Sequence, residues 1–163
     1  MLGGPGGAGK SQVFAAITEF YKCVNHIHQL KICGPISLAA NNVGGSTCHS
    51  EASLCISRDT MHAAMPSGET VCTNLEQRWR GYTGFICDEI NFLGLANIGY
   101  MSENIKIATQ IYEDSGVFGN LTVIFAGDPA QLPPPKAKPL YDHYTLTYYK
   151  KTSDLNALST KTK

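Results

Sequence analysis

Val13, Ile17, Phe20, Tyr21 and Val24 recur at the three- and four-residue spacing of one helix face. This spacing predicts an amphipathic helix from about Lys10 to Cys23. The next apolar run, Leu30-Lys31-Ile32-Cys33, is too short for a helix and stops at Gly34-Pro35, so it reads as a strand. Ser37 to Val43 fits a short helix closed by Gly44-Gly45. Residues 56–69 read as irregular and polar, with a turn at Pro66-Ser67-Gly68. A further helix is expected over Val71 to Arg80. Gly84-Phe85-Ile86-Cys87 is a continuous apolar strand running into Asp88-Glu89. Ile105, Ala108, Ile111 and Tyr112 fall on one side of a helix predicted from Tyr100 to Glu113. Leu121 to Ala126, the most β-rich run, ends at Gly127-Asp128. Strands and helices alternate without internal repeats. Such a chain folds as a mostly parallel α/β sheet, with ligands at the carboxyl ends of its strands.

Composition narrows the class without changing this outline. The 163 residues suffice for one domain with a core, and 43% hydrophobic against 16% charged residues suits a globular protein. No apolar run nears the ~20 residues that span a bilayer, and no basic-then-apolar leader opens the chain. An intracellular setting without membrane contact is expected. Net charge is zero but uneven: residues 1–135 carry seven Lys/Arg against eleven Asp/Glu, and residues 136–163 six Lys against Asp142 and Asp154. The cationic tail reads as a solvated terminus or as a contact for nucleic acid. Six cysteines form no C-x-x-C pair and read as free thiols, several of them in apolar stretches such as Ile32-Cys33 and Ile86-Cys87. Cys23, His26, His28 and Cys33 have the residue types of a zinc cluster, but their spacing matches no structural zinc pattern, so no metal is expected there.

The candidate chemistry starts at Gly4-Pro5-Gly6-Gly7-Ala8-Gly9-Lys10-Ser11, which fits G-x-x-x-x-G-K-[ST]. Glycines let such a loop wrap a polyphosphate with backbone N–H groups at the mouth of a helix. Lys10 can reach the β and γ phosphates, and the Ser11 hydroxyl can ligate Mg²⁺. Only Met1 and Leu2 precede Gly3, so the strand that leads into such loops is expected to be missing. Phe85 to Glu89 is an apolar strand with two adjacent acids at its tip; Asp88 is assigned to the metal and Glu89 to the attacking water. Gly127-Asp128-Pro129-Ala130-Gln131-Leu132-Pro133-Pro134 is a second strand end, whose prolines would hold Gln131 as a hydrogen-bond donor to a γ-phosphate. Read alone, Gln131 belongs to an ordinary proline-rich loop.

Four blocks together resemble the Pif-type DNA helicases, the superfamily 1B group that includes Helitron transposon helicases. They are Gly3 to Ser11; Ala39-Ala40-Asn41-Asn42-Val43-Gly44-Gly45-Ser46-Thr47-Cys48-His49-Ser50; Arg78-Trp79-Arg80-Gly81 leading into Ile86-Cys87-Asp88-Glu89-Ile90; and Phe118 to Asp128 with Gln131-Leu132-Pro133-Pro134. They stand in the family's order and cover roughly residues 3–141. The resemblance implies the first of two RecA-like lobes that grip ATP while walking 5′ to 3′ along single-stranded DNA. It implies phosphate binding by Gly4, Gly6, Gly7, Ala8, Gly9, Lys10 and Ser11, with Mg²⁺ on Ser11 and Asp88. Catalytic roles fall to Lys10, Glu89 and Gln131, and Thr47, His49 and Ser50 would lie near the DNA. Repair, recombination and telomere maintenance, in the nucleus or mitochondrion, are the settings it suggests.

Departures from the pattern qualify these expectations. Pro35-Ile36-Ser37-Leu38 stands where the family usually carries Pro-Thr-Gly, and Ala8 replaces a frequent Thr. Residues 1–141 then read as a truncated first lobe and residues 142–163 as a basic tail. The second lobe and its arginines are expected to be missing, so the fragment should not unwind DNA alone. The alternative is a non-catalytic nucleotide- or DNA-binding remnant. A small phosphate-loop kinase would account for Lys10 and Asp88 but not for the Gln131 and His49 blocks.

Overall fold

The computed structural model of the chain describes residues 1–35, 45–54, 69–111 and 116–141. Five parallel strands form its sheet: β1 (Leu2–Gly3), β2 (Leu30–Gly34), β3 (Ser46–Thr47), β4 (Gly84–Cys87) and β5 (Thr122–Gly127). Their spatial order is β1-β5-β4-β2-β3. The helices are α1 (Lys10–Cys23), α2 (Cys48–Glu51), α3 (Glu69–Trp79) and α4 (Leu95–Thr109). All strand pairings are parallel, with Cys33 opposite Cys87, Cys87 opposite Phe125, and Gly3 opposite Gly127. The parallel α/β expectation therefore holds.

Two-residue alternation sorts the strand side chains onto two faces. Leu30, Ile86 and Ala126 join Phe14 under α1, with Leu2, Ile17, Tyr21, Ile32 and Ile124 packed beside them. Cys33, Phe85 and Cys87 point the other way, into the larger core with Leu75 and Trp79 of α3 and Met101 and Ile105 of α4. Both faces are covered by helices, which is why β4 reads as an unbroken apolar run.

Several expectations need correction. Part of the strand before the glycine-rich loop is present: Leu2–Gly3 pairs with Ala126–Gly127, although it spans only the end of β5. Helix α4 starts at Leu95 rather than Tyr100, because Gly94 turns the chain in from extended backbone while Asn97 and Gly99 dilute the apolar signal. It ends at Thr109 rather than Glu113, since Gln110 adopts the left-handed conformation at φ 58°. The strands Leu30–Gly34 and Thr122–Gly127 each run one residue past their predicted ends. Strand β3 and helix α2 were not expected. Helix Ser37 to Val43, the irregular stretch at 56–68 and the tail 142–163 lie outside the described residues, as does Ile36.

Candidate functional site

The carboxyl ends of all five strands form one rim, and the sequence-predicted residues stand along it. β1 delivers the chain to the glycine-rich loop, where the Gly4 amide still bonds to the Gly127 carbonyl at 3.3 Å. Gly7 and Gly9 adopt φ of 78° and 87°, left-handed values that other residues reach only with strain. Gly9 caps α1, whose N-terminus carries neither a side-chain cap nor an acid in its first turn. Its N–H groups and the positive end of the helix dipole are thus available to an anion. Ser11 lies exposed in that first turn. The Lys10 ammonium donates to the carbonyls of Gly4 at 2.6 Å and Pro5 at 3.1 Å.

Asp88 follows β4 with the side-chain parity of Ile86, which turns it toward the α1 face. Its Oδ1 accepts the Glu89 amide at 2.9 Å. Burial raises the Asp88 carboxyl above its ordinary range, while the Glu89 amide and the Lys10 charge pull it back. Glu89 is raised first by burial, then by the charge of Asp88 and, less, of Asp128; Lys10 opposes the shift. These four groups share one electrostatic neighbourhood. Glu89 also holds a left-handed backbone at φ 51°, and its Oε2 is buried without a hydrogen-bond partner. Left-handed backbone in a non-glycine residue, joined to an orphaned carboxylate oxygen, is the strain that functional sites retain.

Asp128 closes the β5 end. Its amide donates to Asn91 Oδ1 at 3.3 Å, and its carboxylate accepts the Ala130 amide at 2.9 Å. The Gln131 amide bonds to the Asp128 carbonyl at 3.1 Å, which turns the chain back toward the loop. A Cβ built on Gly6 would lie 3.9 Å from Gln131 Nε2. The rim therefore brings Lys10, Asp88, Glu89 and Gln131 together around the glycine-rich loop. Asn91 and Asp128 complete the cluster. Neither was picked out from sequence as a side chain of the site, because an isolated Asn after an acidic pair and an Asp in a turn carry no local signal.

Thr47, His49 and Ser50 do not join that cluster. They stand past β3, at the edge of the sheet opposite β1. Thr47 Oγ1 accepts the Ser50 amide at 3.2 Å and so caps α2. Helix α3 clamps this segment. Arg78 donates to the Ser50 carbonyl and to Ser53 Oγ, and Trp79 Nε1 donates to the Glu51 carbonyl at 3.0 Å. Glu51 pairs with Lys31 at 2.5 Å, whose ammonium lies 4.9 Å from the Trp79 ring centroid and 4.4 Å from that of Tyr82. Among the imagined zinc ligands, Cys23, His26 and His28 are exposed while Cys33 is buried in the sheet. A cavity of about 460 Å³ lies at the opposite rim, lined in part by Trp79, Tyr82, Gln110 and Asn120, far along the strands from the acids.

The sequence profile described as PIF1-like helicase matches residues 1–151. The chain belongs to the PIF1-like helicase family. Two curated members of that family are similar to it, both from Saccharomyces cerevisiae. The ATP-dependent DNA helicase PIF1 is 27% identical over 136 residues, 83% of this chain and 15% of the yeast protein. The ATP-dependent DNA helicase RRM3 is 27% identical over 132 residues, 80% of this chain and 18% of that protein. The chain thus spans under a fifth of the length of these relatives. Among solved structures, Pif1 helicase from Candida albicans superposes with a TM-score of 0.61 at 25% identity, covering 82% of this chain and 29% of that one. Bacteroides Pif1 bound to single-stranded DNA gives 0.63 at 23% identity, with 82% and 29% covered. The Bacteroides complex with ADP-AlF4 gives 0.61 at 22%, with 91% and 32% covered, and both Bacteroides likenesses speak to the fold alone.

Proposed function

We propose that this chain is the nucleotide-binding motor lobe of an ATP-dependent DNA helicase. One observation carries the reading: the lysine of a glycine-rich loop shares its electrostatic neighbourhood with an acid pair, Asp88 buried and Glu89 half-buried, and the second acid has an unpaired oxygen. The amides from Gly4 to Gly9, with Ala8 among them, would wrap the phosphates of ATP at the uncapped end of α1. Lys10 would exchange its loop carbonyls for β- and γ-phosphate oxygens. Ser11 and Asp88 offer hard oxygen donors that fit Mg²⁺. Bound there, the ion would neutralise charge on the β and γ oxygens. Glu89 Oε2 would accept a hydrogen bond from the attacking water, and Gln131 Nε2 would donate to the γ-phosphate. Thr47, His49 and Ser50 would face single-stranded DNA. Bacteroides Pif1 holds single-stranded DNA in one solved structure and ADP-AlF4 in another, which supports this assignment. Movement from 5′ to 3′ would need a second motor lobe opposite this one.

Lys10→Ala tests the binding step. With Mg²⁺ and a slowly hydrolysed ATP analogue at about 100 times its Kd, ligand linkage is worth ~2.7 kcal/mol, a shift of several degrees in Tm. The parent protein should show this shift and Lys10→Ala should lose most of it. Equal shifts in both proteins, or none in either, would refute the site. Single-turnover hydrolysis on the same protein separates a lobe that turns ATP over from one that only binds it.

A further inference from the structure

Three thiols meet beneath the rim, on the face turned away from the glycine-rich loop. Cys33 is the last residue but one of β2, Cys87 ends β4 directly opposite it in register, and Cys48 opens α2. All three are fully buried. Small apolar filling is the ordinary role of such residues, but here the sulfurs are in direct contact. Cys48 Sγ lies 3.4 Å from Cys87 Sγ, across 39 residues of chain. Cys87 Sγ also has the Asp88 carbonyl within reach, at 3.7 Å.

We propose that Cys48 and Cys87 are an oxidation site, closing to a reversible disulfide in the presence of hydrogen peroxide. Hydrogen bonds from Cys33 and then Cys87 push the Cys48 thiol down to about 5 against its burial, while Cys48 and burial push the Cys87 thiol up. The Cys48 thiolate attacks one peroxide oxygen; an S–O bond forms, the O–O bond breaks, and the departing hydroxide takes up a proton to leave as water. Cys48 is then a sulfenic acid. The Cys87 sulfur attacks the Cys48 sulfur, forming the S–S bond and breaking S–O, and a second water leaves with the Cys87 proton. Two thiols lose two electrons in all, and peroxide is reduced to two waters. The sulfurs need to close from 3.4 Å to the ~2.05 Å of a disulfide. In reducing compartments such bonds are transient and sensing rather than structural.

The bond would join α2 to the residue just before Asp88. On the proposed function, it would fasten the candidate DNA segment Thr47–Ser50 to the strand that carries the acid pair. The oxidation itself does not depend on that reading.

The reduced chain is treated with graded hydrogen peroxide, alkylated in denaturant, and mapped without reduction after chymotrypsin. Cleavage after Leu38 and Leu54 separates Cys33, Cys48 and Cys55 onto different peptides, and exposed Cys23 gauges the dose. The expected product is a Cys48 peptide linked to the Cys87 peptide and released by dithiothreitol. In Cys87→Ala, a 1,3-dione that captures sulfenic acids should label Cys48. Cys48 remaining alkylatable at doses that consume Cys23, a bond from Cys48 to Cys33, or dione labelling of Cys33 in place of Cys48 would overturn the assignment. Every readout is a mass, so failed nucleotide binding would leave the result intact.

Discussion

At the residue scale, the acid pair makes the sharpest demand. Asp88 and Glu89 hold their protons more tightly in the folded protein than in the unfolded chain, chiefly through burial. Between the ordinary carboxyl range, 3.8 and 4.5, and the raised values, the folded state therefore keeps more protons than the unfolded chain. Stability falls across that window, because the unfolded state sheds its protons first. Asp88→Asn removes one of the two contributors and also relieves Glu89 of its neighbour's charge. Urea denaturation from acid to neutral pH should show the parent losing stability relative to Asp88→Asn as pH rises. A gap between the two proteins that stays constant would contradict this electrostatic account.

At the element scale, close approach and a clamp decide what the sheet tolerates. Gly3 and Gly127 face each other across the β1–β5 pair, yet their surroundings differ. A Cβ on Gly3 meets nothing within 4 Å, whereas one on Gly127 would sit 2.6 Å from Asn91 Oδ1 and 3.3 Å from the Asn91 amide. Asn91 is buried and already holds the Asp128 amide, so it has little room to yield. Gly127→Ala should cost ~1–3 kcal/mol in chemical denaturation, and Gly3→Ala should stay within about 0.5 kcal/mol. Comparable losses from both would show that the β5 end is not so tightly seated. Trp79 is the second pivot, stacking edge-on to Phe85 with centroids 5.4 Å apart and bonding the α2 carbonyl of Glu51. Trp79→Ala should cost ~3–5 kcal/mol, and a loss under about 1 kcal/mol would mean the clamp carries little of the core.

Much of this was legible in the sequence, for identifiable reasons. Gly84–Cys87 was found to the residue because a strand buried on both faces has no polar positions to blur its ends. The glycine-rich loop and Asp88-Glu89 announced themselves because their chemistry is local in sequence. Strand β3 stayed hidden because two residues, Ser46–Thr47, carry no periodicity. The start of α4 was missed because its first turn is held by tertiary contacts, with the Leu95 amide bonded to the Lys138 carbonyl. Nothing local could reveal that Cys33, Cys48 and Cys87 converge, or that Asn91 supports Asp128; both depend on strand order.

At the scale of the whole molecule, the described sheet is closed on its two faces and open along β5. β1 covers Ala126 and Gly127, and nothing among the described residues pairs with Thr122–Phe125 on that side. Phe20, Val13 and Val24 of the neighbouring α1 region are also exposed. No helix among the described residues is long and apolar enough to cross a membrane. The candidate sites sit at opposite edges of one rim, the glycine-rich loop beside β5 and the Thr47–Ser50 segment beside β2. The β4 end lies between them, with Asp88 facing one way and Cys87 the other. On the proposed function, this shared element would couple the acid pair to the segment packed on Cys87.

The central claim is that loop, acid pair and glutamine surround one triphosphate, and amide NMR of the ¹⁵N-labelled chain tests it most directly. Titration with Mg²⁺ and a slowly hydrolysed ATP analogue should shift the amides of Gly6 to Ser11, Asp88, Glu89 and Gln131 along a single binding curve. Thr109 to Ile111, at the opposite rim, should stay unmoved. Shifts confined to the loop, or a separate curve for Asp88 or Gln131, would contradict the account.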